Sequence, residues 1–268
     1  MELREQAYLY DLYITPTWRE LFDRLVDEKV KIPAEGRFLE VECGSGGFAL
    51  DLALRSGQKV EVFALDSDAE LIALAREKAR IKQAQRLEFA AGSLDASPFS
   101  QLEFDLVIAD TSLAQWRPPT FTLDDLAKLT RQGGTTVLKT LTRGSFDELF
   151  SIYWEALYNL DLITYTPQLE ALIAERPTTG ELEEAAEAAG LRSVQSVVSR
   201  EVFEFPSGQE FFESPLIRTV FLDHWLGILP DSESRLRVQA EMIEIIDRER
   251  QGIDFDVSAR ATLVIGRK

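Results

Sequence analysis

The sequence predicts an α/β fold, a doubly wound and mostly parallel sheet with helices on both faces. Two observations carry this. Short apolar runs alternate with helix-length segments from residue 36 onward, and the first run ends in a glycine loop that opens a helix. Strands buried on both faces read as continuous apolar runs, and right-handed crossovers wind the helices onto both sides.

Taken in order, Thr17-Trp18-Arg19-Glu20 is a capping box, whose Thr and Glu side chains satisfy free backbone N–H groups at a helix start. Trp18, Leu21, Phe22, Leu25 and Val26 follow at one-face spacing, and Pro33 and Gly36 then break the chain. Strands are predicted at 38–41, 60–65, 87–90, 104–109 and 135–141, with helices at 48–56, 69–82 and 123–129. Past Leu141 the rhythm changes, with helices at 146–160 and 168–174. A second capping box, Thr178-Thr179-Gly180-Glu181, starts a Glu/Ala-rich helix that stops at Gly190. Strand character returns at 194–205 and 257–265, separated by about 50 residues of helical pattern at 209–229 and 234–250. An insertion there is expected to cap the carboxyl ends of the strands, where open α/β sheets bind ligands.

Composition narrows the function classes. Lys plus Arg is 29 and Asp plus Glu is 46, a net charge of −17, which argues against binding nucleic acid. One cysteine forbids an internal disulfide and, beside a single histidine, a Cys/His zinc site, so no metal is expected. The opening Met-Glu-Leu-Arg-Glu-Gln lacks a signal-peptide core, and no stretch of about 18 apolar residues occurs. The expectation is a cytoplasmic protein without a membrane span.

The chemistry begins at Phe38-Leu39-Glu40-Val41-Glu42-Cys43-Gly44-Ser45-Gly46-Gly47-Phe48. Glycines in a strand-to-helix loop allow positive φ and close approach of a ligand, and the helix N-terminus offers free N–H groups. Asp66 ends the second strand twenty residues after Gly46, where a carboxylate can accept bonds from ribose hydroxyls. Gly44-x-Gly46-x-x-Ala49 also satisfies the dinucleotide fingerprint, and a tight turn is the bland alternative.

These residues resemble the class I S-adenosylmethionine-dependent methyltransferases of the small-molecule type. Glu40-Val41-Glu42-Cys43-Gly44-Ser45-Gly46 is similar to that family's acidic-x-Gly-x-Gly-x-Gly motif. Ala64-Leu65-Asp66-Ser67-Asp68 resembles its second motif, and Phe104-Asp105-Leu106-Val107-Ile108-Ala109-Asp110 its fourth strand. Gln132-Gly133-Gly134, Glu187-Ala188-Ala189-Gly190-Leu191 and the terminal Leu263-Val264-Ile265-Gly266-Arg267-Lys268 resemble its later turns and last strand. The resemblance implies a Rossmann-like seven-stranded sheet with an antiparallel last strand, and S-adenosylmethionine as cofactor with S-adenosylhomocysteine as product.

It also implies roles. Glu40 organises the loop and the cofactor's amino group, while Gly44 and Gly46 give close backbone approach. Asp66 binds the ribose with Ser67 beside it, Ser93 with Leu94 meets the adenine, and Asp110 faces the transfer site. Glu42 stands where the family has its first glycine; a positive φ there costs on the order of 1 kcal/mol. Ser93 replaces the usual acidic residue, with Asp95 as its alternative.

The predicted layout is one domain, with a helical segment over 1–35 and a cofactor-binding core over 36–142. Helices and the sixth strand fill 143–206, a cap insertion 207–252, and the last strand 253–268. A small-molecule acceptor is expected. Candidates around it are Tyr13, Trp116 and His224, with His224 and Asp110 as the catalytic candidates, and Phe203, Phe205, Phe211 and Phe212 make the cap aromatic. No Asp/Asn-Pro-Pro-Tyr/Phe/Trp run follows the fourth strand, which counts against amino-directed methylation of DNA bases or glutamine. Two other classes stay open: a nicotinamide-dependent oxidoreductase using the same loop, against which the absence of a Tyr-x-x-x-Lys pair weighs, and a non-catalytic methyltransferase-like binding module. The oligomeric state and the acceptor's identity are not legible. Residues 36–142 carry 12 basic and 15 acidic residues, whereas the flanks carry 17 and 31, so the acidity belongs to the additions.

Overall fold

The computed structural model describes residues 3–99, 103–114, 119, 121–250 and 253–268. Seven strands form one sheet: β1 (Gly36–Val41), β2 (Val60–Asp66), β3 (Leu87–Ala91), β4 (Phe104–Asp110), β5 (Thr130–Leu141), β6 (Arg192–Phe205) and β7 (Phe255–Arg267). Their order is β3-β2-β1-β4-β5-β7-β6. β1 lies parallel to β2 and β4, β3 extends the row beyond β2, and β5 extends it beyond β4. β7 reverses direction: Gly133 N–H donates to Lys268 O at 2.9 Å and Lys268 N–H to Gly134 O at 3.2 Å. The expected mixed sheet with an antiparallel last strand is therefore present.

Alternation along the strands explains the double winding, because successive side chains point to opposite faces. Phe38, Val62, Ala64, Leu106, Ile108 and Val137 pack on one face with Leu25, Phe48, Leu52 and Ile72 of the neighbouring helices. Leu39, Phe63, Leu65, Val107 and Leu138 fill the other with Leu126, Ala127 and Ala186.

The chain folds as two compact units. One contains the residues up to Thr140, Thr179–Val198 and Thr262–Lys268; the other contains Leu141–Thr178 and Ser199–Ala261. In the second unit the aromatics form a core of their own. Trp225 stacks on Phe221 with centroids 5.1 Å apart and meets Phe146 edge-on, also at 5.1 Å. Phe211 and Phe212 are buried in this core rather than lining an open surface, and the Arg176 guanidinium lies 5.2 Å from the Phe146 centroid.

Local differences from the sequence reading have physical causes. The first helix does not begin at Thr17: an α-helix over Leu3–Leu9, a π-helical stretch over Tyr10–Arg19 and an α-helix over Glu20–Lys29 run on without interruption. Pro16 lacks the N–H that an α-turn needs, and a widened turn lets the helix pass it. Glu20 N–H reaches back five residues to Thr15 O, and the Thr17 hydroxyl donates to Tyr13 O instead of capping. The single helix expected at 209–229 is split into Gly208–Glu213, a π-helical Ile217–Phe221 and Leu222–Leu226. Pro215 sits at the break. β5 starts earlier than expected and carries Gly133 and Gly134 inside it as an irregularity, since the register moves from Phe104↔Thr130 to Leu106↔Thr135.

Candidate functional site

The carboxyl ends of β1, β4 and β5 bring three charged residues together, and the 3–29 helical run lays two more over them. Lys139 is wholly buried, and its Nζ lies 2.8 Å from Asp23 Oδ1, 3.3 Å from Glu40 Oε1 and 3.4 Å from Asp110 Oδ2. Arg19 reaches two of these carboxylates, 3.3 Å from Asp110 Oδ2 and 3.8 Å from Glu40 Oε1. It also donates to Tyr10 Oη at 3.0 Å and to the Glu42 carbonyl at 2.6 Å. The cluster thus holds two cations against three carboxylates. Asp110 Oδ1 accepts the Ser112 N–H at 2.8 Å, but Oδ2 accepts no well-directed hydrogen bond although two cations stand beside it.

Burial sets the protonation of this cluster. It pushes Glu40 up to about 7, with the like charge of Asp23 adding to the rise and Lys139 and Arg19 opposing it. Burial raises Asp23 too. On Asp110 burial is outweighed by Arg19, Lys139 and the Ser112 bonds, so its carboxyl stays below the usual range. Burial opposes the charge on Lys139, yet Asp23, Asp110 and Glu40 together hold its ammonium protonated.

The glycine loop is built as its sequence requires. Glu40 Oε2 accepts Ala49 N–H at 3.0 Å, tying the β1 end to the following helix. Glu42 does adopt positive φ, at 54°, and its carbonyl is the one Arg19 holds. A Cβ at Gly44 would come within 2.9 Å of Tyr10 Oη and 3.2 Å of Arg19 Nη1, so this glycine gives close approach to side chains that carry polar groups. At Gly46, with φ 72°, the space is taken instead by Phe89 and Ala75, which makes it a packing and N-cap glycine. Asp66 is buried; Oδ2 accepts Gly44 N–H at 2.7 Å and Oδ1 accepts Asp68 N–H at 2.9 Å. It fixes the loop, and a carboxylate oxygen can accept more than one bond.

Among the other predicted residues, Ser67 is exposed beside Asp66, Leu94 is buried, and the Ser93 hydroxyl bonds Asp95 and lowers its carboxyl. Tyr13 is 42% exposed and the helical run does not bring it to the loop; Tyr10, one turn earlier, is the aromatic that arrives. Trp116 lies outside the described residues. His224 sits in the second unit, its Nε2 2.8 Å from Glu175 Oε2. Arg19, Asp23 and Lys139 are not legible in the sequence as site residues, and Tyr10 is legible only as one of the N-terminal aromatics Tyr8, Tyr10, Tyr13 and Trp18. For the first three the one available signal is a lysine inside the apolar run Val137-Leu138-Lys139-Thr140-Leu141.

A family model described as a methyltransferase domain matches residues 33–187, more than half of the chain. The chain is a class I S-adenosylmethionine-dependent methyltransferase. This methyltransferase is 23% identical over 233 residues to a malonyl-[acyl-carrier protein] O-methyltransferase of Paenibacillus sp., covering 86% of this chain and 82% of the relative. It is 22% identical over 199 residues to a ubiquinone/menaquinone biosynthesis C-methyltransferase of Geotalea daltonii, covering 74% of each. The solved YcgJ protein of Bacillus subtilis matches with TM-score 0.57 and 17% identity, over 93% of this chain and 98% of that one, a likeness of fold. No helix among the described residues is long and apolar enough to cross a membrane.

Proposed function

We propose that this methyltransferase modifies a small organic acceptor, with the cofactor seated at the carboxyl ends of β1, β2 and β4. The observation that carries the seating is the buried cluster around Asp110: three carboxylates face two cations, and one carboxylate oxygen still lacks a well-directed donor. An amino group would supply that donor, so Glu40 and Asp110 receive it. Arg19 and Tyr10, close against Gly44, suit the carboxylate at the same end of the cofactor. Asp66, at the end of β2, takes the ribose with Ser67 at the rim, and Ser93, Asp95 and Leu94 frame the adenine.

When bound, S-adenosylmethionine supplies an electrophilic methyl on a sulfonium, and the protein's part is to orient and desolvate. Asp110 acts here by charge: a carboxylate held below its usual range is a weak base. The names of the relatives, an O-methyltransferase of a malonyl carrier and a C-methyltransferase of quinone biosynthesis, support an organic acceptor. The acidity of the flanks supports the same reading, because an anionic polymer would be repelled. Calorimetry with S-adenosylhomocysteine, followed by turnover on a panel of small acceptors and oligonucleotides, tests the proposal. Saturable binding and methylation of a small acceptor are expected. No heat at millimolar ligand from the folded protein would overturn the seating, and methylation of the oligonucleotides alone would overturn the acceptor class.

A further inference from the structure

We propose that Lys139 is a positioning residue for cofactor binding, whose ammonium supplies the counter-charge that favours the Glu40 anion and so its reception of the cofactor's amino group. The proposal rests on the reading that Glu40 receives that group. Lys139 lies on an interior strand with no accessible surface, where an apolar side chain would fill the same space without losing hydration. Its position is bound on several sides: Asp23 comes from the first helical run, Glu40 from β1 and Asp110 from β4, and the Phe48 ring centroid lies 5.2 Å away.

A plain structural pin and a positioning residue predict different things, because the groups around Glu40 act on it in opposite senses. Lys139 and Arg19 favour its anion, whereas Asp23 disfavours it. Asp110 adds a negative charge beside both cations, and Ala49 N–H bonds the far oxygen. Removing Lys139 therefore drives Glu40 toward its neutral acid, and neutralising Asp23 drives it toward the anion.

The experiment is titration calorimetry of S-adenosylhomocysteine against wild type, K139M, K139R, D23N and E40Q between about pH 5 and 9. The titration of the ligand's own amino group is common to all five proteins and cancels. Wild-type affinity is expected to rise up to about tenfold per pH unit below the Glu40 titration and to level off above it. K139M moves that break upward by a unit or more, D23N moves it downward, and K139R leaves it near wild type. Coincident breaks in wild type, K139M, K139R and D23N, together with a loss of urea stability in K139M, would show that Lys139 is only a pin. If K139M does not fold, D23N decides: an unmoved or raised break overturns the proposal. Unchanged affinity in E40Q instead overturns the underlying reading of Glu40, whereas lost affinity in E40Q with coincident breaks overturns the role of Lys139 alone.

Discussion

Glu40→Gln gives a pH-dependent change in stability whose sign and size follow from burial. In the folded protein Glu40 titrates at about 7, against an ordinary value of 4.5. The native state therefore holds this proton more tightly than the unfolded chain. The associated stabilisation is fully present below 4.5 and is lost as pH rises through 7. The gap of 7 − 4.5 = 2.5 pH units, at about 1.36 kcal/mol each, corresponds to roughly 3 kcal/mol. The glutamine side chain of E40Q has nearly the same shape and does not titrate. The unfolding free energy of wild type minus that of E40Q should accordingly fall by about 2–3 kcal/mol between about pH 5 and 8. Asp23, raised in the same direction, is present in both proteins and shares Lys139 with Glu40. Asp110, held low, titrates below this window. Urea unfolding of both proteins at the two pH values measures the quantity directly. A difference that stays flat, or grows in favour of wild type, would show that Glu40 is ionised throughout and that the cations outweigh burial.

Asp66→Ala should weaken S-adenosylhomocysteine affinity by roughly 1–3 kcal/mol through lost charge-assisted bonds; unchanged calorimetric affinity in the folded variant would remove Asp66 from the ribose. The same variant loses the acceptor for Gly44 and Asp68 N–H, so its urea midpoint should drop as well. Glu42→Gly relieves a left-handed residue at φ 54° and should stabilise by about 0.5–1 kcal/mol after the extra chain entropy of glycine, read as a higher thermal midpoint. Arg19→Met leaves Asp110 and Glu40 with one cation fewer and should cost about 3–5 kcal/mol in urea unfolding. Trp18→Phe removes the Nε1–H bond to Ser112 Oγ and should cost about 1 kcal/mol by the same measurement.

The parallel half of the sheet is legible because each strand announces itself locally: an apolar run, a turn, then a helix with one apolar face. The glycine loop is legible for the same reason, since Glu40 to Gly47 and Asp66 are read within short windows. At the first helix the sequence carries a signal that is real but outcompeted. Thr17 and Glu20 have capping chemistry, yet the hydroxyl finds a carbonyl four residues back once a π-turn has carried the helix past Pro16. Tyr13 and Tyr10 cannot be separated from sequence, because the phase of a helix around a widened turn decides which of them is buried.

The charge cluster is illegible for a different reason: it is assembled from residues 19, 23, 40, 110 and 139, which no local pattern connects. Its composition nevertheless sharpens what the total charge means. The cofactor-binding stretch 36–142 is nearly balanced, with 12 basic and 15 acidic residues, while the strong acidity lies outside it. Inside that stretch, however, Glu40 and Asp110 are buried and meet Asp23 around two cations, so a local excess of one negative charge remains if all five ionise. Burying an uncompensated charge is costly, and the free protein meets that cost by holding a proton on Glu40 near neutral pH. On the seating proposed above, a cationic amino group would displace that proton. Cofactor binding near neutral pH should then release a fraction of a proton into buffer, and that fraction should vanish in E40Q. Calorimetry in buffers of different ionisation enthalpy reads this number. Equal proton release from both proteins would mean that the proton on Glu40 and the cofactor do not compete.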